Sequence, residues 1–172
     1  MLSEKLKRTI TNYPDFPKKG ILFRDICPVL ADVKLLHELI ENISTNSYLT
    51  LCDAIVAIDA RGFIFGSILA YKLGKPLILA RKKNKLPGAI KEIEYDLEYG
   101  KDSLSVQKSA LDGLDKFVMI DDLLATGGTA KCVAEILTSE KKQVLSLIVI
   151  VELLALKGRD NLSFPVFSEL QY

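Results

Sequence analysis

Four short apolar runs constrain this chain of 172 residues more than any other feature. They are "AIVAID" (Ala54–Asp59), "PLILA" (Pro76–Ala80), "KFVMID" (Lys116–Asp121) and "VLSLIVIV" (Val144–Val151). Each is rich in β-branched or aliphatic residues, and none alternates polar with apolar positions. Such runs read as strands covered on both faces, the environment of a parallel sheet. Segments with helical character lie around them. Asp32 caps a helix running to about Asn46, with Leu35, Leu36, Leu39, Ile40 and Ile43 at helical spacing. "RGFIFGSILAYKLG" is a turn and helix closed by Gly74, and Thr129 to about Ser139 is a further helix. The expected fold is α/β, a parallel sheet with helices on both faces.

The other segments are less regular. Leu2 to Ile10 has the spacing of a short amphipathic helix. "NYPDFPKKGILF" carries Pro14, Pro17 and Gly20 and is expected to be a loop. "RKKNKLPGAIKE" is basic, broken by Pro87 and Gly88, and is expected to be a mobile loop. "IEYDLEYG" and "DSLSVQ" alternate apolar and polar residues and suit an antiparallel pair. No internal repeat or linker is visible, so one domain spanning residues 1–172 is expected.

Several function classes are disfavoured. The formal net charge is +1, so bulk electrostatics does not point to nucleic acid. The longest apolar run, Val144 to Leu156, contains Glu152 and is too short to span a bilayer, so no membrane role is expected. Cys27, Cys52 and Cys132 are scattered and form no C-x-x-C pair, which points to a reducing, cytoplasmic setting rather than a disulfide framework or zinc site. The N-terminus is charged within its first few residues and has no apolar core of a secretion signal. His37, the only histidine, lies in a predicted helix far from every motif, so a histidine base is not expected.

In parallel sheets, ligands sit at the carboxyl ends of the strands. Three such ends carry polar residues here: Asp59-Ala60-Arg61-Gly62, Arg81-Lys82-Lys83 and Asp121-Asp122. The third runs into "ATGGT", between a strand and a helix. Gly127 and Gly128 lack Cβ atoms, so backbone N–H groups can approach an oxyanion. Thr126 and Thr129 add hydroxyl donors, and the helix directs its positive end at the same point. The pattern is neither a Walker loop, lacking its lysine, nor a dinucleotide fingerprint. Taken alone, "TGGT" also suits an ordinary glycine turn. The adjacent carboxylates favour the ligand reading, since they repel each other and cannot both be buried unpaired. They suit sugar hydroxyls or a cation such as Mg²⁺. A phosphorylated sugar satisfies both halves of the stretch.

"VMIDDLLATGGT" resembles the phosphoribosyl pyrophosphate (PRPP) motif of the type I phosphoribosyltransferases, in its adenine-specific form. "YPDFPKKGILFRDICPVL", "IDARGFIFG", "RKKNKLPG", "LEYG", "QKSAL", "VELLALKGR" and "SELQY" resemble segments of the same family, in the same order. The likeness spans nearly the whole chain. It implies the type I phosphoribosyltransferase fold, with a small N-terminal hood over about residues 1–30 and a flexible lid over about 81–100. It implies a reaction in which adenine displaces pyrophosphate at C1 of PRPP to give AMP, a step of purine salvage.

The resemblance also implies roles. Ala125, Thr126, Gly127, Gly128 and Thr129 would hold the 5′-phosphate, with Asp121 and Asp122 facing the ribose hydroxyls. Mg²⁺ would travel with PRPP and reach those carboxylates at most through water. Arg61 would bind pyrophosphate in a turn with an unusual peptide conformation just before it. Arg81, Lys82, Lys85 and Tyr99 would serve the pyrophosphate from the lid. Main-chain groups of Leu22, Phe23 and Arg24 would recognise adenine, with Phe23 and Leu123 against the ring. Glu98 would share the purine N7 proton as the catalytic acid or base. A homodimer is implied, with a neighbouring subunit's basic residue near the pyrophosphate. Outside the resemblance, Arg61 suits a surface arginine, Phe23 a core aromatic and Glu98 a surface glutamate.

Two other readings compete. One is a phosphoribosyltransferase for a 6-oxopurine, which "ILFRD" and "LEYG" argue against. The other is a non-catalytic regulator of the same fold that senses PRPP or a purine; this chain has neither a helix-turn-helix nor a strongly basic face.

Overall fold

The computed structural model describes residues 1–96 and 101–172, which form two compact units, Met1–Ile43 and Ser44–Tyr172. In the N-terminal unit, α1 (Leu2–Thr9) leads into a two-stranded antiparallel ribbon, β1 (Thr11–Pro14) and β2 (Leu22–Asp25). This differs from the loop expected for "NYPDFPKKGILF". The prolines and glycine stand at the ribbon's end and turn, where they cost little pairing. Asp15 Oδ1 accepts from Gly20 N at 2.7 Å across that turn, and Phe16 meets Phe23 edge-on at 5.2 Å. Then follow α2 (Cys27–Ala31), opened by an Asp25 Oδ1 contact to Cys27 N at 2.9 Å, and α3 (Val33–Ser44). Asp32 caps α3 as expected, accepting from Lys34 N at 3.1 Å and Leu35 N at 3.0 Å.

The second unit contains α4 (Ser47–Leu51), β3 (Ala54–Ile58), α5 (Gly62–Leu73), β4 (Leu77–Lys82), β5 (Ile90–Asp96), β6 (Lys101–Gln107), β7 (Lys116–Leu124), α6 (Gly128–Ser139), β8 (Gln143–Glu152) and β9 (Val166–Gln171). Seven strands make one sheet in the order β5-β6-β4-β3-β7-β8-β9. The four expected runs form the parallel part β4-β3-β7-β8, and β9, which was not expected as a strand, extends it parallel to β8. β5 and β6 form the expected antiparallel pair, and β6 joins β4 antiparallel through Arg81↔Ser105 and Lys82↔Leu104.

Both faces of the sheet are covered. Ala54, Val56 and Ile58 share a buried cluster with Val133, Ile136 and Leu137 of α6. The residues between them point the other way: Gly66 of α5 faces Ala57 and Leu77. β3 is buried at all five positions, which is why its sequence shows no alternation.

β7 departs from expectation in length. Its pairing with β8 continues through Asp121↔Val149 and Leu123↔Val151 to Leu124↔Glu152. Both aspartates are strand residues, held in extended geometry rather than in a loop.

Candidate active site

The end of β3 and the end of β7 converge. Gly62 lies so close to β7 that a Cβ there would meet the Ile120 carbonyl oxygen at 2.7 Å and Asp121 Oδ1 at 3.1 Å. That close approach carries Arg61 to the carboxylate pair: Arg61 Nε stands 2.8 Å from Asp122 Oδ2. Asp122 is only 6% exposed. Asp121 Oδ1 accepts from Asp122 N at 2.9 Å. The unusual peptide expected before Arg61 is present, as Asp59–Ala60 is cis.

The electrostatics follow from burial. Burial, and then the charge of Asp122, push the Asp121 carboxyl well above the ordinary carboxylate range. Burial also raises Asp122, while Arg61 beside it pulls the other way. Without a ligand, the pair holds a proton more readily than ordinary aspartates do.

Beyond the pair, Gly127 adopts a left-handed conformation, φ +83°, and is the N-cap of α6. The turn therefore presents the start of a 12-residue helix to the aspartates. A cavity of about 200 Å³ is lined by Arg61, Asp121, Asp122, Leu123 and all of Ala125–Thr129. A second cavity, of about 320 Å³, shares Arg61, both aspartates and Thr129, and adds Asp59, Lys82, Tyr95 and Asp102.

The basic residues are held by acids. Arg81 Nε is 3.3 Å from Asp59 Oδ2, and its guanidinium lies 5.7 Å over the Phe63 ring. Lys82 Nζ is 3.7 Å from Asp102 Oδ2. Lys85 lies in the exposed segment between β4 and β5 and lines neither cavity. Leu22, Phe23 and Arg24 are on β2 of the N-terminal unit, where Arg24 Nη1 donates to Asn12 Oδ1. Glu98 and Tyr99 lie outside the described residues.

Three cavity residues had no role assigned from sequence. Asp59 stands at the exit of β3. Asp102 and Tyr95 are cross-strand partners in β5 and β6. Tyr95 lines the second cavity together with Thr129, and burial pushes its phenol above the ordinary value. Only the strand register places them at the site, and register is not written in local composition.

Comparison with known proteins agrees with this geometry. A family model described as a phosphoribosyl transferase domain matches residues 30–168. The chain is 54% identical to adenine phosphoribosyltransferase of Prochlorococcus marinus over 99% of each chain. The crystal structure of adenine phosphoribosyltransferase from Thermoanaerobacter pseudethanolicus superposes with a TM-score of 0.92 at 44% identity, covering 100% of both chains. That of the Saccharomyces cerevisiae enzyme, complexed with an imino-altritol bisphosphate and adenine, gives 0.90 at 34% identity over 97% of each.

Proposed function

The chain belongs to the phosphoribosyltransferase family, and from that premise we propose that it transfers the 5-phosphoribosyl group of PRPP to adenine, releasing pyrophosphate and forming AMP. One observation carries this reading. A carboxylate pair, Asp122 buried and Asp121 half-buried, and a glycine-rich helix N-terminus line the same cavity. Each half suits a different part of a phosphorylated ribose.

In this reading the N–H groups and hydroxyls of Ala125–Thr129 hold the 5′-phosphate. Asp121 and Asp122 accept from the ribose hydroxyls. Their negative charge also favours positive charge developing on the ribose as the C1–O bond to pyrophosphate breaks. That bond leaves its electron pair on the pyrophosphate oxygen, the N9 lone pair of adenine in its 7H tautomer bonds to C1, and the N7 proton passes to the Glu98 carboxylate. Arg61, with Arg81, Lys82 and Lys85, receives the pyrophosphate. Binding there exchanges the carboxylate partners Asp122, Asp59 and Asp102 for a phosphate partner. Tyr99 serves the same group.

Main-chain groups of Leu22, Phe23 and Arg24 recognise the base. A carbonyl there accepts from the 6-amino group of adenine and opposes a 6-oxo group, and unpaired buried partners discriminate strongly. Phe23 and Leu123 supply contact to the ring. Glu98 shares the purine proton.

The residues fit Mg²⁺ as an ion brought by the substrate. PRPP oxygens would supply most of its ligands, and Asp121 and Asp122, which line the cavity, would reach it through water. When bound, the ion offsets the charge of the departing pyrophosphate.

A homodimer belongs to this reading, supported by the exposed apolar side chains Ile64 and Tyr71 on α5. So does a cytoplasmic setting, supported by three free cysteines. Among the described residues no helix is long and apolar enough to cross a membrane.

The test is a base panel with PRPP and Mg²⁺, read by pyrophosphate release. Adenine should be turned over far better than hypoxanthine, guanine or xanthine. Comparable kcat/KM for a 6-oxopurine would overturn the reading.

A further inference from the structure

The glycine-rich turn has an outer wall that none of the residues above supplies. It is the 3-10 turn Gly158–Asn161, in the segment joining β8 to β9. Two backbones meet there with no side chain between them. A Cβ on Gly127 would come within 2.5 Å of the Gly158 carbonyl oxygen. One on Gly158 would lie 3.0 Å from the Gly127 nitrogen and would overlap the Ala125 carbonyl oxygen. Asn161 Nδ2 then donates to the Thr126 carbonyl at 2.8 Å, and Leu153 N donates to the Leu124 carbonyl at 2.9 Å. Four consecutive residues, 124 to 127, are therefore held from behind.

The wall is itself anchored. Arg159 forks onto Glu152, Nε to Oε1 at 2.9 Å and Nη2 to Oε2 at 2.6 Å, and its Nη1 donates to the Val166 carbonyl. Glu152 is 3% exposed and accepts further from Ser168 Oγ at 2.8 Å and Gln171 Nε2 at 3.1 Å. The Arg159 hydrogen bonds hold its carboxyl below the ordinary range. A charge this deep survives when its oxygens are fully paired, and the pairing ties β8, the turn and β9 into one body. Glu152 is also the residue that pairs with Leu124, at the entry to the phosphate turn.

We infer that Asn161, Gly158 and the Glu152–Arg159 pair are positioning residues that hold the phosphate turn in its binding shape. The inference rests on the proposed reading that this turn takes a 5′-phosphate. A loop that binds an oxyanion through N–H groups must have them converged beforehand, or ordering them subtracts from affinity. The Thr126–Gly127 peptide is not among the cis bonds. In a trans peptide the N–H points opposite to the C=O. Holding the Thr126 carbonyl from Asn161 therefore fixes the direction of the Gly127 N–H. Gly158 is glycine because the wall touches the turn backbone to backbone.

Asn161→Ala is the decisive variant, because Asn161 is exposed and its loss opens no core cavity. One hydrogen bond of this kind corresponds to roughly three- to tenfold in an equilibrium. KM for PRPP should rise by about that factor, while kcat and KM for adenine stay within about twofold. The melting temperature should hold within about 2 °C. Gly158→Ala should act in the same direction and more strongly. If Gly158→Ala does not fold, Asn161→Ala decides alone. An unchanged KM for PRPP in Asn161→Ala, with or without a lowered melting temperature, overturns the inference and leaves Asn161 as a stabiliser of its own turn. Should the wild type not turn over adenine, the proposed function falls. The positioning role is then judged separately, from the Kd of ribose 5-phosphate for wild type and Asn161→Ala by calorimetry. Equal values overturn it.

Discussion

Arg61 Nε lies 2.8 Å from Asp122 Oδ2, joining the exits of β3 and β7 through one ion pair. The guanidinium is what opposes the effect of burial on that carboxylate. Replacing it with a neutral side chain of similar length removes the opposition. In Arg61→Met the Asp122 carboxyl should ionise only at higher pH than in the wild type. If the ionised pair is the form that favours the ribosyl cation, the acid limb of kcat/KM for PRPP moves toward alkaline pH. If Arg61 receives the pyrophosphate as proposed, KM for PRPP should also rise by tenfold or more, since a charge-assisted partner is lost. A pH–rate profile checks both; an acid limb at its wild-type position would detach Arg61 from the pair.

Asp121 gives the opposite sign for stability. Its folded pKa is raised by burial and by Asp122, while the unfolded chain titrates near the ordinary value of about 3.9. Above that value the unfolded state has lost the proton that the native state still holds. The native state thus binds more protons, and stability falls as pH rises through the window up to the folded pKa. Asp121→Asn removes this loss. The variant should match the wild type near pH 4 and melt higher at pH 8, by roughly 2–4 °C for each kcal/mol recovered. Its turnover should be severely reduced. A melting-temperature difference independent of pH would sink the argument.

The sheet was legible where burial leaves its mark on local composition. β3 and β8 are covered on both faces, so their residues spell continuous apolar runs. The β7 run was expected to stop at the first carboxylate, yet pairing with β8 carries it through Leu124. The ladder, not side-chain polarity, sets a strand's end. The β1–β2 ribbon was hidden because Pro14, Pro17 and Gly20 mask a pairing only four residues long. α2 and α4, at five residues each, are too short to show a helical period. At the site, Asp121, Asp122 and 125–129 were legible because they are contiguous. Asp59, Asp102 and Tyr95 were not assigned, because register and ion pairing alone bring them to the cavity. Gly158 stood within "VELLALKGR", a stretch that resembles the family but suggested no role, and Asn161 left no readable signal.

The glycine at the mouth of α6 tests the cradle directly. Gly127 sits at φ +83°, and a Cβ would meet the Gly158 carbonyl oxygen at 2.5 Å. Gly127→Ala therefore meets both a left-handed backbone cost of about 1–2 kcal/mol and a steric one. The turn must shift, displacing several donors at once. Thr129→Ala removes one hydroxyl from the cavity lining and leaves the backbone in place. Titration calorimetry with PRPP should rank Gly127→Ala as much the weaker binder of the two. Binding by Gly127→Ala that equals that of Thr129→Ala would remove the case for backbone recognition of the phosphate.

Glu98 supplies the last expectation, from chemistry rather than geometry. Attack through N9 needs a proton to leave the purine, and no histidine other than His37 exists in the chain. His37 is exposed on α3, 3.8 Å from Glu41, in the N-terminal unit. A carboxylate is the remaining acid–base group of suitable affinity. Glu98→Gln keeps shape and one acceptor but loses charge and proton affinity. Positioned acid–base groups contribute about 10²–10⁴-fold, so kcat should fall by roughly that factor. PRPP affinity should change little, because Asp121, Arg61 and the 125–129 turn are intact. If Glu98 instead supports the lid beside Tyr99, KM for PRPP rises and kcat falls only modestly. Steady-state kinetics on folded Glu98→Gln separate the two cases. A kcat within about threefold of wild type, under about 1 kcal/mol of barrier, would end the acid–base assignment.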